Sequence, residues 1–207
     1  MRDNLKNEKY FNTVHSWYSN TFKEWQSDYL KTINNDNTNC HRIRANCASM
    51  VLDLQRLFYL EYSLGLPKEK LFKNQDVFIE ALTNYCTAKG GAYNNVFFLL
   101  CLAIIYGTQK EKIAPVINML TEQNYKDFIL DSMANYLMPE FEIRTDELKF
   151  KKSFKAVADI IKLAKTDKDE AAKRLKHYLE KEWLNMRKDG MMHNKSHLVE
   201  NEKTMPV

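Results

Sequence analysis

The sequence predicts an all-α protein, an irregular antiparallel helical bundle of about seven or eight helices. Three observations lead there. Glycine and proline are scarce, five and four among 207 residues. That is about a third of average usage, and the turns and bulges of β-rich folds depend on such residues. Apolar residues recur at helical spacing through most of the chain. Most of the few breakers, Gly65, Pro67, Gly90-Gly91, Gly107, Pro139 and Gly190, fall between those periodic segments. With 44% hydrophobic and 28% charged residues, the chain can build a core and is not disordered as a whole.

The elements follow in order. Phe11, Val14, Tyr18, Phe22, Trp25, Tyr29 and Ile33 make one apolar stripe of a long first helix. The Asn-rich run 34–39 ends it, because short polar side chains compete for backbone hydrogen bonds. A second helix, about Cys40–Ser63, turns Ile43, Cys47, Met50, Val51, Leu54, Leu57, Phe58 and Leu60 inward. Gly65 suits its C-terminal cap and Pro67 opens the next helix, which carries Leu71, Phe72, Phe78, Leu82 and Tyr85 and stops at Gly90-Gly91. The fourth, about Tyr93–Tyr106, is apolar all round and must be enclosed by others.

Gly107 closes the fourth helix, and shorter amphipathic helices follow over about 110–120, with Pro115 inside, and 125–136. After Pro139 comes an acidic connector, then helices over about 146–165 and 168–187, the second with Asp167 as N-cap. Successive helix pairs suggest a solenoid, but no motif recurs between them, so a bundle is preferred. The expected division is an N-terminal helical part, 1–90, a C-terminal part packed on it, 91–190, and a flexible tail, 191–207.

Charge and composition narrow the function. The net charge is only +4, and lysine far outnumbers arginine, so a phosphate-reading surface and direct nucleic-acid binding are not favoured. No apolar run is long enough to span a membrane, and the first residues, Met1 to Lys6, form no export signal. The four cysteines, Cys40, Cys47, Cys86 and Cys101, then read as reduced thiols in a cytoplasmic protein. Residues 91–147 are net acidic and 148–207 net basic, an asymmetry that suits steering toward a basic partner.

Candidate chemistry is thin. His193 and His197 have the spacing of helical metal ligands, but the intervening Asn194-Lys195-Ser196 lacks the glutamate of a zinc protease. Cys40, His41 and Cys47 match no structural zinc spacing. Asp127 and Asp131, followed by Glu140, Glu142, Asp146 and Glu147, could hold a cation or serve as acid and base. No Glu-x-x-His pattern accompanies them, nor a glycine-rich phosphate loop, nor a nucleophile elbow. No catalytic residue, metal or cofactor is therefore expected. The six carboxylates are instead candidates for binding a partner.

Several segments resemble a known family. Arg2-Asp3-Asn4-Leu5-Lys6 with Tyr10-Phe11, then Tyr62-Ser63-Leu64-Gly65, then the stretch from Leu175 through Lys181-Glu182-Trp183 to Asp189-Gly190 and His197, resemble the PoNi family, immunity proteins for PoNe polymorphic DNase toxins. Two features depart from its pattern. Leu184 stands where a second aromatic usually follows the Trp, and the chain reaches Val207 without the family's Gly-Tyr-Trp-type segment. The family's last C-terminal helices would then be lacking, which would uncover apolar surface and offer a homodimer interface. The resemblance implies an all-helical cytoplasmic protein whose partner is a cognate nuclease toxin, bound and blocked without an enzymatic step. The six carboxylates would answer the toxin's basic DNA-binding groups. The alternative is a helical adaptor or regulatory module with no toxin partner.

Overall fold

A computed structural model of the chain describes residues 7–34, 40–71, 73–86 and 93–183. Among them are eight α-helices and no strand: α1 Glu8–Asn34, α2 Cys40–Ser63, α3 Gln75–Cys86, α4 Tyr93–Tyr106, α5 Lys110–Glu122, α6 Phe128–Leu137, α7 Lys151–Ala164 and α8 Lys168–His177. The protein is all-α. It divides into two compact units that meet in sequence at Gln123–Asn124.

The first unit is built on the α1–α2 pair, which shares the most extensive contact of any two helices. Phe11, Val14, Tyr18, Phe22 and Tyr29 are buried on α1, and Cys47, Met50, Val51, Leu54, Leu57 and Leu60 on α2, which packs against both α1 and α3. Two residues of the expected α1 stripe differ. Trp25 and Ile33 are each more than a third exposed, and Thr32 is buried near the end of the helix. The Thr32 hydroxyl satisfies itself by donating to the Asp28 carbonyl at 2.7 Å, so a small polar group fits where a bulky one does not. Tyr29 ties α1 to α3: its hydroxyl donates to Glu80 Oε1 at 2.8 Å and accepts from Asn84 Nδ2 at 2.9 Å.

Helix ends obey the breakers. Gly65 takes φ 84° and Gly107 φ 63°, and the next N–H reaches back to close each helix, Leu66 to the Glu61 carbonyl at 3.1 Å and Thr108 to that of Ala103 at 2.9 Å. Pro67 opens a single 3₁₀ turn, Lys68–Lys70, and α3 starts later, at Gln75. The apolar α4 buries Val96, Leu99, Leu100, Leu102 and Ala103, but it is not enclosed on every side as expected, since Ile105 is 58% exposed. Pro115 lies inside α5, which continues through it. Helix α3 packs against α2, α4 and α5, so the division drawn near residue 90 falls inside this unit. Phe78 and Phe98, on either side of that point, pack ring against ring at 5.9 Å between centroids.

The second unit holds α6, α7 and α8. Ile160 of α7 packs with Ala171 of α8 and with Tyr178, which begins a single π-helical turn, Tyr178–Glu182. Asp167 caps α8 as expected, its Oδ1 accepting the Glu170 N–H at 2.9 Å. Helix α7 begins at Lys151, not near Asp146. Residues 147–149 are tied back to the start of α6, where Phe128 N–H donates to the Glu147 carbonyl at 2.8 Å and the Lys149 N–H donates to Asp127. Those bonds hold the backbone out of a helical first turn.

Candidate functional site

The acidic connector becomes the most elaborately fixed loop of the second unit. From Met138 to Phe150 it has no helix or strand. Ordered loops of this length inside a compact unit need local anchors. Two carboxylates supply them. Asp127 precedes the apolar run of α6, and its Oδ1 accepts the N–H groups of Ile129 at 3.0 Å and Leu130 at 3.1 Å. Such a cap answers orphan donors of the first turn. The other oxygen, Oδ2, accepts the Lys149 N–H at 2.8 Å and so pins the far end of the loop.

Asp131, one turn on, pins its middle. Its Oδ2 accepts the Arg144 backbone N–H at 2.8 Å and Nε at 3.3 Å, while Oδ1 lies 2.6 Å from Nη2. The Arg144 guanidinium also donates to the Tyr125 carbonyl and stacks over the Phe141 ring at 5.0 Å. Asn135 completes the set, donating to the Phe141 carbonyl at 2.8 Å and that of Pro139 at 3.3 Å. A two-pronged Arg–carboxylate pair adds geometric precision as well as energy.

The six candidate carboxylates therefore separate into two kinds. Asp127 and Asp131 are both fully buried and act within the fold. Glu140, Glu142, Asp146 and Glu147 are exposed on the loop these two hold. Asp146 lies 2.7 Å from Lys162 Nζ, whose ammonium holds the Asp146 carboxyl below its usual range. Lys162 also sits over the Phe128 ring at 4.7 Å. Sequence reasoning overlooked Arg144, Lys149 and Asn135 as the positioning groups. The available signal was Asp127 itself, an N-cap residue directly before an apolar run.

The remaining candidates bring no chemistry to this place. His193 and His197 lie outside the described residues. Among the described residues no three His, Cys, Asp or Glu side chains gather to hold a metal ion, and no helix is long and apolar enough to cross a membrane. Cys47 and Cys101 are free thiols, and burial pushes each up to about 11, so neither is an activated nucleophile.

Fold and site together define a helical protein whose four exposed candidate carboxylates are displayed on an ordered loop. Residues 2–118 match the family model described as PoNe immunity protein (PoNi), N-terminal; the chain belongs to that family. The match covers α1 to α4 and most of α5 and stops before the acidic connector. Comparison with curated proteins and with solved structures gives no match.

Proposed function

We propose that the protein is an immunity protein that binds a PoNe DNase toxin and neutralises it, using Glu140, Glu142, Asp146 and Glu147 to meet the toxin's basic surface. Family membership supports the immunity role. The observation that carries the site is the loop, which shows four exposed carboxylates on a backbone held by two buried ones. A pre-ordered surface loses less entropy on binding than a mobile one. Complementary charge speeds encounter and fixes register against a protein that must itself attract phosphates. The reading is of a cytoplasmic binder that works without catalysis, metal or cofactor.

The test is a triple charge reversal, Glu140→Lys with Glu142→Lys and Asp146→Lys, in the full chain co-expressed with a PoNe toxin. The expected outcome is an affinity loss of at least about tenfold with a shallower salt dependence, and restored DNA degradation in the presence of the variant. Unchanged affinity would remove the loop from the interface.

One observation favours a second surface. Tyr62 lies within the matched segment and is about half exposed at the end of α2, and aromatic side chains of this kind anchor protein interfaces. If Tyr62→Ala weakens toxin binding while the loop reversal does not, the interface lies on the first unit. If the toxin binds neither form nor the parent chain, the adaptor reading takes its place.

A further inference from the structure

The first unit contains a second polar feature that the connector does not explain. Glu61 lies on the inward side of α2 in register with Leu54 and Leu57, and it is only 7% exposed. Buried carboxylates are costly unless several donors or a cation answer them. Among the described residues its side chain has one polar contact, His15 Nε2 at 3.4 Å from Oε1, at the long end of the hydrogen-bond range. The same carboxylate lines a cavity of about 20 Å³ whose other walls are Leu54, Leu57, Phe58, Phe78, Asn74 and Lys73. Phe58 and Phe78 both pack on Phe98, at 5.5 and 5.9 Å between ring centroids. The cavity therefore has an apolar, aromatic floor with one carboxylate in its wall.

We propose that this cavity binds a primary ammonium group, the tip of a lysine side chain of a protein partner. Its volume admits one water-sized group. An ammonium fits that space as a compact point charge, whereas a planar guanidinium does not. Phe58 and Phe78 line the same space, and aromatic side chains accept a cation at a ring face; Glu61 gains a second polar partner beside the long contact with His15. Lys73 is exposed at the wall and makes no ion pair with Glu61 among the described residues, so it acts as a competing charge at the mouth. The stem of the bound lysine lies outside, across the surface between α2 and the start of α3. This inference is independent of whether the acidic connector meets a toxin.

The test is amide-shift titration by NMR of the full chain with methylammonium chloride, tetramethylammonium chloride, and the N-acetyl methylamides of lysine and arginine. Saturable shifts at Glu61, Asn74 and Phe78 are expected with methylammonium and the lysine amide, and none with tetramethylammonium or the arginine amide. Glu61→Gln should abolish saturation, and Lys73→Ala should tighten it about threefold by removing a nearby like charge. Linear shifts shared by all four salts, saturation that survives in Glu61→Gln, or equal binding of the arginine amide would each overturn the proposal. Should Glu61→Gln fail to fold by circular dichroism, Lys73→Ala decides alone, and an unchanged affinity overturns it.

Discussion

The two compact units of this chain differ in what polar groups add to apolar burial. The first rests on apolar burial along continuous helices: Phe11, Phe78, Leu99, Leu100, Ile113 and Ile117 are all essentially inaccessible. The second also buries apolar side chains, Phe128, Ile129, Leu130 and Ala134 of α6 and the cluster of Ile160, Ala171 and Tyr178, but it relies in addition on Asp127 and Asp131 to organise its longest loop. Apolar burial is non-directional and tolerates small shifts of packing. A buried carboxylate is directional, and it either finds its donors or destabilises strongly. The first arrangement yields a scaffold, and the second yields a loop of defined shape.

The comparison breaks most visibly at Asp131. Asp131→Ala leaves Arg144 without its carboxylate at a site where Arg144 is only 18% exposed, and removing one member of such a pair destabilises by about 3–5 kcal/mol. Hydrogen exchange should show lost protection across residues 138–150, with the amides of α1 and α2 unchanged. Loss of protection throughout both units would mean that the polar anchor is not local. The converse variant, Leu99→Ala in α4, should cost about 2–5 kcal/mol by leaving a cavity. Its urea midpoint should fall while the connector amides keep their protection.

Smaller effects sharpen the contrast. Asp127→Ala removes an N-cap, worth about 1–2 kcal/mol by itself, and the anchor of the Lys149 N–H, so fraying should show both at Phe128 to Leu130 and at Lys149. Asp53 provides a polar exception inside the first unit. It is 5% exposed, its Oδ1 lies 3.3 Å from Arg56 and its Oδ2 is buried without a hydrogen-bond partner. Burial raises its carboxyl above the ordinary 3.8, against the lowering effect of Thr21 and Arg56. The folded state thus binds this proton more tightly than the unfolded state does. Stability from this group is full below 3.8 and is lost as pH rises through the raised value. Asp53→Asn should therefore flatten the stability curve over that window and leave the variant at least as stable as the parent at neutral pH. A variant curve parallel to the parent's would refute the assignment. The smallest effect belongs to Asp146→Asn, which breaks an exposed pair with Lys162 and should leave the melting temperature unchanged within error.

How much of this was legible in the residues differs between the units for the same reason. The α2 and α4 boundaries, Cys40–Ser63 and Tyr93–Tyr106, could be read directly, because periodic apolar residues and flanking glycines act locally. The onset of α7 could not. Residues 146–150 carry nothing that forbids a helix, and it is the distant α6 N-terminus that claims their backbone groups. Asp127 and Asp131 looked like surface carboxylates because a sequence shows charge but not the donors that meet it. Glu61 and Asp53 left a fainter trace, charged residues standing among the inward positions of α2.

By itself, the sequence determined the all-α class, most helix spans, the caps at Gly65, Gly107 and Asp167, and a resemblance to the PoNi family that the family match over residues 2–118 then established. All of these depend on interactions within a few residues or on patterns that survive in one dimension. Only the tertiary structure decided which carboxylates face solvent, where α7 starts, and that Glu61 looks into a cavity. Each depends on groups far apart in the chain meeting at hydrogen-bond distance, such as Asp131 and Arg144 or His15 and Glu61, and burial there turns a common charged side chain into an anchor or a site.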